Sequence, residues 1–207
     1  MDLLVLGGTA YLGRYVTQAA LARRHRVTCV ARGSVRLPPE GAELVRADRD
    51  RDGALAPVAG RPWDSVIDVA RHPGQVRRAV AGLVATTAHY VFVSTGNVYA
   101  DHRRPGLDES APTLPPLAGE VMSDMSEYGA AKVACEDHVV AGFGPGHSLI
   151  ARSGLIGGPD DWSGRSGYWP WRFAHPSNPE GRVLVPDTPD LSTQVIDVRD
   201  LAQWLVQ

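Results

Sequence analysis

Cysteine is scarce: only Cys29 and Cys135 occur in 207 residues, far apart, which excludes a disulfide scaffold and fits a reducing, cytoplasmic setting. Charge of one sign is also missing. Lys plus Arg (21) against Asp plus Glu (23) leaves a formal charge of −2, so no basic field points to nucleic acid or an anionic membrane. Long apolar runs are absent too. Leu3 to Leu6 and Tyr90 to Val93 are far shorter than the ~20 residues of a membrane span, so none is expected. The start Met1-Asp2-Leu3-Leu4 lacks the basic and apolar regions of a secretory leader. Lysine is almost missing: of the 21 basic residues, 20 are Arg and one is Lys132. Arg replaces Lys where only a charge is wanted, but less well where a compact ammonium must reach a specific atom. The position of the sole lysine is therefore informative.

With 43% hydrophobic, 21% charged and 7% aromatic residues the chain can bury a sizeable core, and one domain is the default. Strands are expected at Leu3 to Leu6, Arg26 to Ala31, Glu43 to Ala47, Ser65 to Val69 and Tyr90 to Ser94, alternating with helical stretches. That alternation is the signature of a parallel sheet with helices on its faces, a Rossmann-type doubly wound α/β fold. Val76, Ala79, Val80 and Leu83 form one apolar helical stripe, and Leu12, Val16, Ala19 and Ala20 another. Residues 101 to 127, rich in Pro, Asp, Glu and Ser, read as a long surface excursion. A helix from about Ser126 to Ala141 and a strand at Ser148 to Arg152 follow, then an irregular Gly-, Pro- and Trp-rich stretch from Gly154 to Pro189. Asp197 to Gln207 reads as a helix without a closing signal, which suggests a trimmed form of a longer protein. The expected division is a dinucleotide-binding domain over 1–153 and a partial, truncated C-terminal substrate lobe over 154–207 that returns to it.

Gly7-Gly8-Thr9-Ala10-Tyr11-Leu12-Gly13 lies between the first strand and the first helix, where backbone N–H groups can receive a pyrophosphate. Gly7 permits the tight turn and Gly13 a close approach of helix to strand; in the pattern GxxGxxG the middle glycine is here Ala10. At the end of the second strand no acid is present to take a ribose 2′-OH. Arg32, with Arg36 nearby, suits a 2′-phosphate instead and tilts the preference from NAD to NADP. Asp48 after the third strand is a candidate adenine contact or a turn residue, and Ala70 is small enough to let a cofactor pass.

Tyr128 and Lys132 stand at i and i+4, on one helical face. A phenol with a pKa near ~10 is a poor base at neutral pH, and an adjacent ammonium favours its phenolate. Such a pair can exchange a proton with a carbonyl or alcohol oxygen while a nicotinamide exchanges hydride. Ser94 and Thr95, at the end of the fifth strand, offer a hydroxyl where sheet ligands bind.

With these residues assembled, the chain resembles the extended short-chain dehydrogenase/reductases, the NAD-dependent epimerase/dehydratase family. GGTAYLG at Gly7 to Gly13 and YGAAK at Tyr128 to Lys132 are the specific strings; VSTGNVY at Val93 to Tyr99, ARSGLIGGPDD at Ala151 to Asp161 and VIDVRDLA at Val195 to Ala202 support them. The resemblance implies that Gly7, Thr9, Ala10, Tyr11, Leu12 and Gly13 cradle the cofactor. It also implies that Tyr128 is the acid/base, that Lys132 lowers its pKa and holds the nicotinamide ribose, and that Thr95 is the hydroxyl partner. Ser153 and Leu155 would lie beside the nicotinamide, and a homodimer would form through the Tyr128 helix. Gly96-Asn97 stands where sugar-nucleotide dehydratases carry Asp-Glu, which disfavours dehydration.

Seven histidines show no ligand spacing, so no metal is expected. Trp162, Tyr168, Trp169 and Trp171 read as pocket walls or as packing beneath a loop, and Cys135 as a buried small hydrophobe. The leading expectation is an NAD(P)-dependent oxidoreductase acting on a carbonyl or secondary alcohol of a small molecule. A sugar-nucleotide epimerase, which recycles its cofactor with no net absorbance change, and a non-catalytic NAD(P)-binding regulatory protein are the alternatives.

Overall fold

Alternate side chains of the first strand, β1 (Asp2–Leu6), enter two different cores: Leu3 and Val5 face one side, Leu4 and Leu6 the other, and all four are buried. Burial on both faces is the behaviour of a parallel strand covered by helices above and below. In the computed structural model, which describes residues 1–34 and 36–207, β1 is joined by β2 (Arg26–Ala31), β3 (Glu43–Arg46), β4 (Trp63–Asp68), β5 (Thr87–Thr95) and β6 (Ser148–Ser153). The six form one parallel sheet in the order β3-β2-β1-β4-β5-β6. The winding reverses between β1 and β4, and such a switch point opens a crevice beyond the carboxyl ends of the strands.

One face is covered by α1 (Tyr11–Ala22) and α6 (Val198–Leu205), the other by α3 (Pro73–Leu83) and α4 (Tyr128–Phe143), with the short α2 (Ala56–Ala59) beside α3. Val76, Ala79, Val80 and Leu83 are all buried, as the stripe predicts; Leu12, Val16 and Ala20 are buried and Ala19 half-buried. Burying an aliphatic side chain of this size contributes about 1.5–3 kcal/mol. α6 returns the end of the chain to the α1 face, its first turn capped by the Asp197 carboxylate, which accepts from the Arg199 N–H at 2.8 Å.

Some boundaries move, for identifiable reasons. β4 starts at Trp63, because the buried indole donates to the Val58 carbonyl at 3.0 Å and packs under α2. The helix expected from Ser126 begins as a 3-10 turn over Met125–Glu127, with the Asp124 carboxylate accepting from Ser126 N–H at 2.7 Å; Tyr128 is then the first residue of α4. The stretch expected to be irregular contains β7 (Leu155–Gly157), paired in parallel with β8 (Val195–Asp197), and α5 (Arg165–Ala174). α5 has no buried residue, and the Pro170 inside it, with Gly167, argues against a helix when the sequence is read by propensity. Trp162 and Trp171 are 83% and 63% exposed, so of the two readings packing beneath a loop is not found for them, and Trp162 lines the large cleft. Among the described residues no helix is long and apolar enough to cross a membrane, and no three His, Cys, Asp or Glu are grouped to hold a metal ion.

Candidate active site

A cleft of about 680 Å³ opens beyond the ends of β1, β2, β3 and β4. Its floor is the glycine turn. Gly7 has φ +98°, and a Cβ there would stand 2.6 Å from Val69 Cγ2. A Cβ on Gly13 would lie 2.2 Å from the Gly7 carbonyl oxygen, and one on Gly8 would lie 2.4 Å from Cys29 Sγ. No methyl fits at any of the three, so α1 starts closer to β1 and β2 than a larger residue would permit. The constraint at Gly8 has no separate signal in the sequence. Ala10, by contrast, is exposed on the cleft wall as the N-cap of α1, with no side-chain hydrogen bond to the first turn. The free N–H groups and positive dipole end of α1 are thus left to an anion in the cleft.

Gly7, Thr9, Ala10, Tyr11, Arg32, Asp48 and Ala70 all line this cleft, whereas Leu12 and Gly13 are buried beneath it. Tyr11 carries a buried hydroxyl with no hydrogen-bond partner. Burial, followed by the charges of Asp161, Tyr15, Asp197 and Asp160, pushes its phenol up to about 12. At the β2 end, Arg32 and Arg36 are joined by Arg14 of α1, which sequence reasoning did not single out; it donates to the Leu37 carbonyl at 3.0 Å. Asp48 is both wall and turn residue, its carboxylate accepting from Asp50 N–H at 3.2 Å. A glycine cradle without Cβ atoms, an uncapped helix start and guanidinium groups at the far end together fit a dinucleotide.

At the other end of the sheet, Gly129 lets α4 press onto the turn after β5, since a Cβ there would be 2.3 Å from the Asn97 carbonyl oxygen. This close approach brings Tyr128 to Thr95. Burial raises the Tyr128 phenol above its ordinary pKa, and the Thr95 hydroxyl, Arg71 and Arg165 pull it back. Thr95 also accepts from Asn97 N–H at 3.3 Å and pairs in register with Ser153, whose hydroxyl donates to the Ser94 carbonyl at 3.4 Å. Leu155 is half-buried in β7, its N–H donating to the Gln194 carbonyl at 2.9 Å. Thr95, Tyr128, Lys132, Ser153 and Leu155 lie outside the lining of this cleft.

Lys132 is 2% exposed; its ammonium donates to the Ala70 carbonyl at 2.7 Å and to the Val93 carbonyl, and lies 4.0 Å from the centre of the Phe92 ring. Burial pulls its pKa down to about 8. Two backbone carbonyls hold the ammonium, and Arg71 and Arg165 are cations that lower the phenol. Through Ala70, a cleft-lining residue, Lys132 is nevertheless tied directly to the wall where a dinucleotide would lie. One turn further along α4, the buried Glu136 accepts from Ser94 Oγ and from Arg152 at 2.7 Å, fixing α4 to β5 and β6.

Comparison with known proteins adds to this geometry. Residues 3–89 match the model of the NAD dependent epimerase/dehydratase family. The 2′-dehydrokanamycin reductase of Streptomyces kanamyceticus is 32% identical over 160 residues, covering 75% of this chain and 43% of that protein. The Photosystem II assembly factor Ycf39 of Trieres chinensis is 31% identical over 113 residues, 47% of this chain and 35% of that protein. The chain thus spans less than half the length of either relative. Among solved structures, a UDP-galactose 4-epimerase superposes with a TM-score of 0.76 at 20% identity, over 100% of this chain and 70% of that one, a likeness of fold. Residues 3–89, which contain the glycine turn, are thus similar to the NAD dependent epimerase/dehydratase family, and the whole chain shares the fold of a UDP-galactose 4-epimerase.

Proposed function

We propose that the chain carries the dinucleotide-binding and proton-transfer parts of an NAD(P)-dependent oxidoreductase acting on a carbonyl or secondary alcohol of a small molecule. The observation that carries this reading is the link from the Lys132 ammonium through the Ala70 carbonyl to the cleft wall, with Tyr128 and Thr95 one helical turn away. When bound, the nicotinamide would supply or accept the hydride. The Tyr128 phenol would give its proton to the carbonyl oxygen, and burial suits it to that direction because it keeps the proton on at neutral pH. The Thr95 hydroxyl would hold the same oxygen, and Lys132 the nicotinamide ribose. Gly7, Thr9, Ala10, Tyr11 and the α1 N-terminus would take the pyrophosphate, with Leu12 and Gly13 supporting from below. Asp48 would face the adenine; Ser153 and Leu155 would flank the nicotinamide. Arg32 and Arg36 favour NADP(H) over NAD(H), and residues 154–207 would form the substrate side.

Tyr128→Phe tests the assignment. With NADPH absorbance as readout, and 2′-dehydrokanamycin plus a panel of simple ketones as substrates, turnover is expected to fall by about 10²-fold or more. NADPH affinity should stay within about twofold, since the phenol makes none of the cradle contacts. Undiminished turnover in the variant refutes the reading. The similarity to a photosystem assembly factor favours a second reading, a non-catalytic module that binds the dinucleotide and a protein partner. It predicts nucleotide binding with no turnover in the parent chain.

A further inference from the structure

One buried cluster is not used by the mechanism above. Asp68, at the end of β4, is 0% exposed and accepts four hydrogen bonds. Oδ1 takes Arg49 at 2.8 Å and the Ala70 N–H at 2.9 Å; Oδ2 takes Arg49 at 2.7 Å and the Tyr90 hydroxyl at 2.7 Å. Arg49, itself buried on the cleft wall, also donates to the Gln75 carbonyl at 3.2 Å. Stability alone gives little reason for such a pair, because a well-packed apolar pair of the same volume does as well or better. An apolar pair cannot accept the Ala70 N–H. That bond closes a tight turn from Asp68 to Ala70, in which the side chain fixes the backbone two residues on. Ala70, anchored in this way at its N–H, offers the carbonyl of its following peptide to Lys132 Nζ.

We infer that Asp68 is a positioning residue for Lys132: its turn anchors Ala70, the residue whose carbonyl receives the ammonium, and Arg49 is the counter-ion that holds the carboxylate in place. Importance for turnover rests on the function proposed above; the placement of the lysine does not. The charged and titratable groups acting on Lys132 are Cys135 and Glu136 from α4, Asp68 from β4 and Arg71 from the turn after it, with the uncharged Phe92 ring of β5 beneath. Asp68 is the member that also shares a backbone contact with the lysine.

Because Lys132 is the sole lysine, [13C,15N]lysine labelling gives one side-chain signal in the intact protein, readable without any substrate. The double variant R49L/D68L removes the pair without leaving a buried unpaired charge. It is expected to keep the parental circular dichroism while the Lys132 signal moves and its titration midpoint falls by about one pH unit. R49Q/D68N is the second probe; it keeps an acceptor for Ala70 N–H and should retain the chemical shift while the midpoint falls. A folded R49L/D68L protein with the parental Lys132 signal overturns the inference. Failure of both variants to fold assigns the pair to the fold alone and overturns it as well. Saturating NADPH should shift the signal in the parent; no shift with NADPH or NADH defeats the proposed function while leaving the positioning result intact.

Discussion

Arg32 and Arg36 leave the end of β2 exposed on the cleft wall, and neither makes an ion pair among the described residues. A guanidinium there can receive a phosphate without first giving up a carboxylate partner. A charge-assisted hydrogen bond contributes about 1.5–3 kcal/mol, and each 1.4 kcal/mol is tenfold in affinity. The double substitution R32S/R36S is therefore expected to weaken NADPH binding about tenfold or more, measured by calorimetry, while NADH binding changes less than about twofold. Equal losses for both cofactors would remove the argument for NADP(H). These arginines could be read from the sequence because a strand end in this fold is a known address. Arg14 could not: it reaches the same wall from α1, and only the close seat of that helix puts it there.

At the level of the helices, two glycines with the same local setting should respond in opposite ways. Gly82 lies in α3 with nothing within 4 Å of where a Cβ would be, so G82A is expected to stabilise by about 0.5–1 kcal/mol through helix propensity. Gly13 lies in α1, where a Cβ would come 2.2 Å from the Gly7 carbonyl oxygen. Overpacking costs about 1–3 kcal/mol and outweighs the same propensity gain. G13A should lower the thermal midpoint and weaken NADPH binding, because the displaced oxygen belongs to the turn proposed to take the pyrophosphate. A stabilised G13A protein would show that the helix can retreat without cost. Helix α4 follows a different rule: Lys132 and Glu136 are buried within it among Ala131, Val133, Ala134 and Cys135. The Tyr128/Lys132 spacing was visible in the sequence because the helical period puts both on one face. That the ammonium would bond to carbonyls of two strands was not, since backbone acceptors carry no sequence signal.

Across the whole molecule, buried titrating groups set an alkaline limit. Burial raises the Cys135 thiol from 9.0 to about 12 and the Tyr11 phenol from 10.0 to about 12, so the fold keeps protons that the unfolded chain releases. Their stabilisation is complete below the unfolded values and is lost as pH rises toward 12. Lys132 acts in the opposite sense: lowered from 10.5 to about 8, it adds stability as pH rises between those values and nothing more above them. The thermal midpoint is therefore expected to rise from pH 8 to 9, where the lysine gain is unopposed, to level off up to about 10 and to fall steeply above about 10.5, where only the losses remain. Melting curves across that range check this, and C135A should make the alkaline fall shallower. A midpoint still rising above pH 11 would contradict the assigned burial.

The period of apolar residues determined the β-α alternation, the parallel sheet and the helix stripes, because burial on a strand or helix repeats at fixed spacing wherever the partner lies. Short-range steric need determined the glycine turn in the same way. The pairing of distant groups was decided only in three dimensions. Asp68 finds Arg49 and Tyr90 from three separate segments, and Ala70 offers its carbonyl to a lysine on a later helix. α5 likewise has no buried residue, and its internal Pro170 hides it from a reading by helix propensity. Local periodicity is written along the chain, whereas the direction of a buried dipole or charge exists only once the sheet has brought its neighbours together.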